Sequence, residues 1–249
     1  MTALLLALIA GAVVGLMLGA LGGGGSVLAV PALIYLLGFT PAAATTAGLI
    51  IITATSLTAL YAHARAGRVR WKAGAAFAAA GILPAAAAGA AAAHVPQAVL
   101  TTAFAATAIL SAVKMLRPVD TARSGSGDIR PGRAAGAGAG LGTLTGLLGV
   151  GGGFLAVPAL VTVLAFEMEA AVGTSLLVIT ANSLASLATR SGAAASLDWA
   201  VIGPFIGTAI LGAWDGKRMA AKVSGPRLQR IFAVVLLAVA AFMLADAVT

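Results

Sequence analysis

The hydrophobic positions of this chain fall into ten runs separated by short polar connectors, five runs in each half. In the first half they cover about 3–21, 27–38, 42–62, 73–92 and 97–116. In the second they cover about 134–148, 154–166, 169–189, 199–214 and 229–247. Many approach or exceed the roughly 18–20 apolar residues that cross a bilayer as a helix. The pattern predicts an all-α polytopic membrane protein with about 8–10 membrane segments. Two runs, 27–38 and 154–166, are short. Thirteen residues at roughly 1.5 Å each reach about 20 Å, against a hydrocarbon core of about 30 Å. Each reads as a tilted short span or as a half-helix ending near the midplane.

The polar positions show that the pattern is duplicated. Gly19 to Leu33 matches Gly146 to Leu160 at 11 of 15 positions without a gap, 127 residues apart. In the same register Gly11, Gly15 and Gly19 fall on Gly138, Gly142 and Gly146, and Ala43–Leu57 matches Ala170–Leu184 at 8 of 15 positions. The division is a first repeat at 1–116, a cytoplasmic linker at 117–133 and a second repeat at 134–249. The polar stretch from Lys114 to Arg133, with Pro118, Pro131 and five basic groups, is the one long connector.

Composition agrees with the pattern. Hydrophobic residues make up 61% of 249 positions and charged residues 9%, against roughly 45–50% and 25% in a soluble domain. The net charge of +8 sits in short connectors, the usual cytoplasmic placement in membrane proteins, and does not point to nucleic acid. The apolar start, Met1 to Gly19, lacks a basic leader, and its equivalent is internal, so it reads as a retained helix. The chain is read as a multi-pass protein of the cell membrane, the inner membrane of a bacterium.

Charge also sets orientation. The loop Arg65–Lys72 is strongly basic, while its equivalent near 190–198 holds Arg190 against Asp198. Conversely, the connector near His94 is nearly uncharged, and its equivalent carries Lys217, Arg218, Lys222, Arg227 and Arg230. Basic connectors favour the cytoplasm. The two halves are therefore expected as an inverted repeat, which needs an odd number of crossings per half.

The glycine stretches carry the candidate chemistry. Glycines four apart let a neighbouring helix approach closely. Adjacent glycines do more: each costs roughly 1 kcal/mol in a helix interior relative to alanine, so Gly22–Gly25 and Gly151–Gly153 should break their helices. Broken backbone at membrane depth is tolerated only inside the protein or against a wet cavity. Each following helix would offer free N–H groups and the positive end of its dipole to an anion. The candidate binding residues are Gly22, Gly24, Gly25, Ser26 and Val27 in one copy, and Gly149, Gly151, Gly152, Gly153 and Phe154 in the other. The next helix of each copy holds most of the remaining polarity, including Thr45, Thr46, Thr53, Thr55, Ser56 and Thr58 against Thr174, Ser175, Thr180, Asn182, Ser183 and Ser186. Thr55, Ser56, Asn182 and Ser183 complete the candidate set, with the aligned pair Thr55 and Asn182 at its centre.

Other chemistries are excluded. All seven acids lie in connectors or at segment ends, so no mid-helix carboxylate is available for a cation pump. No H-E-x-x-H, G-x-S-x-G or P-loop lysine is present. With no cysteine there is no thiol chemistry, and no cofactor or metal is called for. The chain is read as a transporter and not an enzyme. His63, near Arg65 and opposite Arg190, reads as an interfacial residue or an entrance guard, and Trp71 and Trp199 as interface anchors.

The repeated motif, Gly19-Ala-Leu-Gly22-Gly-Gly24-Gly25-Ser26 to Leu33 and Gly146-Leu-Leu-Gly149-Val-Gly151-Gly152-Gly153 to Leu160, resembles that of the TauE/SafE family of sulfite exporters. The resemblance implies a membrane transporter of small sulfur-containing anions such as sulfite, thiosulfate or organosulfonates. The residues themselves argue only for a small anion at paired helix N-termini; the reading adopted is a secondary transporter of a small anion, working by alternating access between the repeats. A coupling ion (proton or sodium) and an oligomer fit this reading. Two alternatives stay open: a passive anion channel, and a non-transporting membrane assembly or scaffold protein.

Overall fold

The computed structural model describes residues 2–92, 97–116, 131–148, 153–188 and 197–248. Among them the chain is helical almost throughout. The first half contains α1 (Thr2–Leu21), a 3-10 turn (Gly22–Gly25), α2 (Ser26–Pro31) continued by a π turn (Ala32–Leu36), α3 (Pro41–Arg65), α4 (Trp71–Ala92) and α5 (Gln97–Leu116). The second contains α6 (Pro131–Leu148), α7 (Gly153–Thr162), α8 (Met168–Ala188), α9 (Trp199–Ala220) and α10 (Gly225–Val248). By length and composition, α1, α3, α8 and α10 each hold a segment able to cross a membrane. Leucines such as Leu83 (79% exposed) and Leu211 (68% exposed) project outward, which is stable only against lipid. Most of the linker, residues 117–130, lies outside the described residues.

Helix starts follow local chemistry. Thr40 caps α3, accepting from the Ala43 N–H, with Pro41 at the first helical position. Asp198 caps α9 through the Ala200 N–H at 3.0 Å. Helix α9 runs to Ala220, past the apolar run that ends near 214. Charged side chains are sound helix formers, and here they find partners. Asp215 faces Arg218 one turn on, and the Lys217 ammonium donates to the Ala62 carbonyl at 2.6 Å.

The first helix of each half packs on the fourth helix of the other. On α1, Gly11 abuts Phe205, Gly15 abuts Ala209 and Gly19 abuts Ala213, so α1 and α9 run parallel with backbones touching. On α6, Gly138 abuts Phe77 and Gly142 abuts Gly81, the same arrangement against α4. A methyl group at Gly15 or Gly142 would overlap a carbonyl of the facing helix. The small-residue spacing thus creates two backbone-to-backbone seams, each joining the halves.

Equivalent helices also meet directly. Ser56 of α3 lies against Thr180 of α8, Ala59 and Leu60 share a buried cluster with Leu176, and Arg68 beyond α3 reaches Glu169 at the start of α8. Positions rise on one helix as they fall on the other, so α3 and α8 are antiparallel. Gln229 at the start of α10 donates to the Met115 carbonyl at the end of α5, the same sense of pairing. Short turns reverse the chain after α3 and α9. In the first half the reversal after α1 begins at Gly22, whose φ of +64° suits glycine alone. The segment Ser26–Leu36 then returns along α3, where Val30 and Leu33 lie beside Gly48. It is the fifth helical segment of that half.

Two measurements test this packing. Gly140 lies two residues from Gly142 on α6 but has nothing near its missing Cβ. In detergent, Gly140→Ala should be neutral or stabilise by up to about 1 kcal/mol, and Gly142→Ala should destabilise by about 1–3 kcal/mol. Equal shifts in melting would refute the close seam. For the topology, the chain lacks cysteine, so the exposed positions Ala66, Ala200 and Ala221 can each be changed singly to Cys. An impermeant thiol reagent should label Ala66→Cys and Ala221→Cys from one face and Ala200→Cys from the other. Labelling of all three from one face would break the count of five traverses.

Candidate functional site

The buried polar groups concentrate where α3 and α8 cross. Thr46, Thr53, Thr55 and Ser56 on α3, and Thr174, Ser175, Thr180 and Ser183 on α8, are all buried. In hydrocarbon an unpaired hydroxyl is costly, and half of these donate to a carbonyl of their own helix. Thr53 donates to Leu49 at 2.7 Å, Thr55 to Ile51 at 2.6 Å and Ser175 to Val172 at 2.8 Å. One contact bridges the helices: the Thr180 hydroxyl donates to Ser56 Oγ at 2.9 Å, and Ser56 donates onward to the Thr53 carbonyl at 3.2 Å.

Two neighbouring groups break the pattern. The Ser183 hydroxyl and the Asn182 side-chain oxygen are buried without a hydrogen-bond partner. Each such orphan costs about 1–3 kcal/mol. A hydroxyl can turn to donate, and the Asn182 amide can rotate to present NH2 where its oxygen now points. Each is a donor that a small oxyanion could use. Among the described residues the buried polar set contains no carboxylate, so nothing there would repel one.

One end of the seam is basic and closed. The Arg70 N–H donates to Thr174 Oγ1 and the Arg68 guanidinium pairs with Glu169, both at 3.1 Å. His63 is also buried here, in the last turn of α3. Its Nε2 lies 3.3 Å from the Gly19 carbonyl. A carbonyl only accepts, which puts the imidazole proton on Nε2 and leaves Nδ1 bare and unpartnered. His63 thus ties the end of α3 to the last turn of α1, just before the glycine turn.

The first glycine turn lies against α8. Gly22 sits so close to Ser175 and the Val172 carbonyl that no side chain fits, and the Gly23 N–H donates to Ser175 Oγ at 3.3 Å. The Ser26 N–H and hydroxyl both turn back to the Gly23 carbonyl, the latter at 2.7 Å. Ser26 is therefore occupied locally. Gly24 and Gly25 complete the turn, Val27 is the second residue of α2, and Gly153 and Phe154 open α7. Gly149, Gly151 and Gly152 lie outside the described residues. The structure brings Ser56 to Thr180 and sets Asn182 beside Ser183. Thr55 does not join Asn182, because its hydroxyl is spent on Ile51, with Ile52 also at 3.2 Å. The set chosen from sequence omitted Thr180 and Ser175. The repeat alignment offered one signal, since Thr180 is identical to its counterpart Thr53.

Comparison with known proteins bears on the whole chain. The family described as sulfite exporter TauE/SafE matches residues 7–243. A protein of Xylella fastidiosa strain 9a5c, described as a probable membrane transporter protein, is 33% identical over 242 residues, covering 94% of this chain and 92% of the relative. A second, from strain Temecula1, carries the same description at 31% identity, with the same coverage of both chains. No solved structure matches the chain.

Orphaned groups are expected to trade stability for binding. Ser183→Ala and Asn182→Leu remove buried groups that nothing satisfies, so each should leave the detergent melting temperature unchanged or raise it. A lost hydrogen bond to a charged ligand is worth about 1.5–3 kcal/mol, so apparent affinity for the transported anion should fall roughly ten- to a hundredfold. Thr55→Val, whose hydroxyl is already spent, should leave affinity within about threefold. Unchanged affinity in Ser183→Ala and Asn182→Leu together would remove the seam from the binding site.

Proposed function

This chain belongs to the sulfite exporter TauE/SafE family and is a multi-pass membrane transporter, not an enzyme, and on that premise we propose that its cargo is a small oxyanion of oxidised sulfur, such as sulfite or an organosulfonate, bound in the seam between α3 and α8. The observation that carries the reading is the adjacent pair of orphaned groups, Asn182 and Ser183, in a buried polar seam free of described carboxylates. A sulfur oxyanion presents several strong acceptor oxygens within a small volume. Hydroxyl and amide donors suit it, and they cost less to bury empty than a lysine or arginine would.

The first glycine turn forms part of the same chamber in this reading, through backbone close to Ser175. The halves, 1–116 and 134–249, act as an inverted repeat, and access to the seam alternates between the two faces. The antiparallel crossing of the equivalent helices α3 and α8 supports that arrangement, since a two-fold axis relating them must lie across their length. The basic groups around Lys217 and Arg68 would draw anions to one mouth of the seam.

Purified protein in proteoliposomes, loaded on both sides with sulfite, thiosulfate or ethanesulfonate, provides the test. Uptake of a labelled anion should saturate, and the same unlabelled anion inside should accelerate it, as exchange through a carrier requires. An uncharged sulfone should not compete. Flux proportional to concentration without exchange would identify a passive channel, and absence of flux for every anion would leave a scaffold.

A further inference from the structure

The register of α3 against α8 places two Ser–Thr pairs symmetrically about the crossing, and the structure closes one of them. The repeat aligns Thr53 with Thr180 and Ser56 with Ser183. The antiparallel crossing that sets Ser56 opposite Thr180 therefore sets Thr53 opposite Ser183, one pair on either side of the crossing point. On one side the relay is complete: Thr180 donates to Ser56, and Ser56 to the Thr53 carbonyl. Its mirror would run from Thr53 to Ser183 and on to the Thr180 carbonyl. Instead Thr53 folds back onto the Leu49 carbonyl at 2.7 Å, and the Ser183 hydroxyl is buried with no partner.

Chemically identical pairs in equivalent places differ in state. The four residues themselves are not the cause, because they are the same two types in the same order. The closed pair lies on the side where Arg68 and Arg70 hold the start of α8. In the sequence, the repeat equivalents of those arginines are Ala195 and Leu197, neither of them charged.

We propose that Thr180 and Thr53 are alternating latches, each closing on the serine opposite it in one of two states, and that the unlatched serine holds the anion. This rests on the alternating-access reading above and adds two residues to it, Thr53 and Thr180, as positioning residues. In the state observed, the Thr180–Ser56 latch is closed and Ser183 is the free ligand. In the other, Thr53 releases Leu49 and closes on Ser183, Ser56 becomes free, and access opens from the opposite face. The exchange conserves hydrogen bonds: one hydroxyl returns to its own helix as the other leaves, so the two states lie close in energy.

The cysteine-free chain permits a direct test. Ser56→Cys with Thr180→Cys should crosslink under mild oxidation, as the structure shows them in contact. Thr53→Cys with Ser183→Cys should crosslink as well, though the structure leaves that pair open. Each crosslink should arrest uptake of labelled sulfite, and reduction should restore it. Crosslinking of the first pair alone, across both orientations of anion gradient, would overturn the proposal. A second readout avoids new bonds: Thr180→Val and Thr53→Val should shift the ratio of apparent KM values measured from the two faces in opposite directions, each by about three- to tenfold. Shifts in the same direction would also overturn it. Crosslinking needs no knowledge of the cargo, so a failed latch is distinguishable from a wrong substrate. Two crosslinkable pairs without sulfite uptake would retain the latches and reject the cargo, whereas exchange of sulfite with one fixed pair would do the reverse.

Discussion

Backbone pressed on backbone, at the glycines of α1 and α6, is the contact on which the remaining structure depends. Where Gly15 meets the Ala209 carbonyl and Gly142 meets that of Gly81, no side chain intervenes. Such a contact cannot slide by changing rotamers, and in lipid the tight van der Waals fit is what binds helices. Each seam takes its first helix from one half and its fourth from the other. The halves are thus interlocked as two crossed pairs, α1 with α9 and α4 with α6, and not set side by side. Other helix pairs, α3 against α8 among them, meet through side chains instead.

That crossing is also where polarity survives. A hydroxyl that donates to its own helix is nearly apolar to its surroundings, and Thr53, Thr55 and Ser175 are hidden in this way. Packing alone would be served as well by valine or alanine at Ser183 and leucine at Asn182, which would spare the chain two unsatisfied groups. The orphaned pair therefore points to a ligand more strongly than the many satisfied hydroxyls around it. Membrane helices have abundant serine and threonine; what singles out this pair is that no local carbonyl has claimed it.

The helices were legible in the sequence because hydropathy and the repeat both report on them, and the glycine spacing announced the close seams. Connector chemistry was less visible. Helix α9 continues to Ala220 through Asp215, Lys217 and Arg218, because the charged face finds Ala62 and solvent, a matter of neighbours and not of hydrophobicity. The glycine run broke α1 as expected, yet into a tight 3-10 turn whose Ser26 folds back on Gly23. Thr55 looked central because it aligns with Asn182, whereas the residue that reaches across is Thr180. Alignment pairs equivalent positions. Contact across an antiparallel crossing pairs positions whose numbers move oppositely, and only three dimensions supply that register.

The two copies have kept some residue classes and let others diverge, and the division is physical. Gly11, Gly15, Pro31, Thr53 and Ser56 recur as Gly138, Gly142, Pro158, Thr180 and Ser183; each acts inside the helical bundle, on helix approach, helix ending or the polar seam. The charged groups do not recur: Arg68 and Arg70 stand against Ala195 and Leu197, and Lys217 against Ala90. A side chain that packs inside the unit performs the same task whichever way the unit faces. A lysine or arginine performs its task relative to the membrane, whose two faces differ in their tolerance of positive charge. This division is the one expected of a fold unit used twice in opposite senses. The same division is visible in the seam, which has matched Ser–Thr pairs at its centre and unmatched arginines at one end.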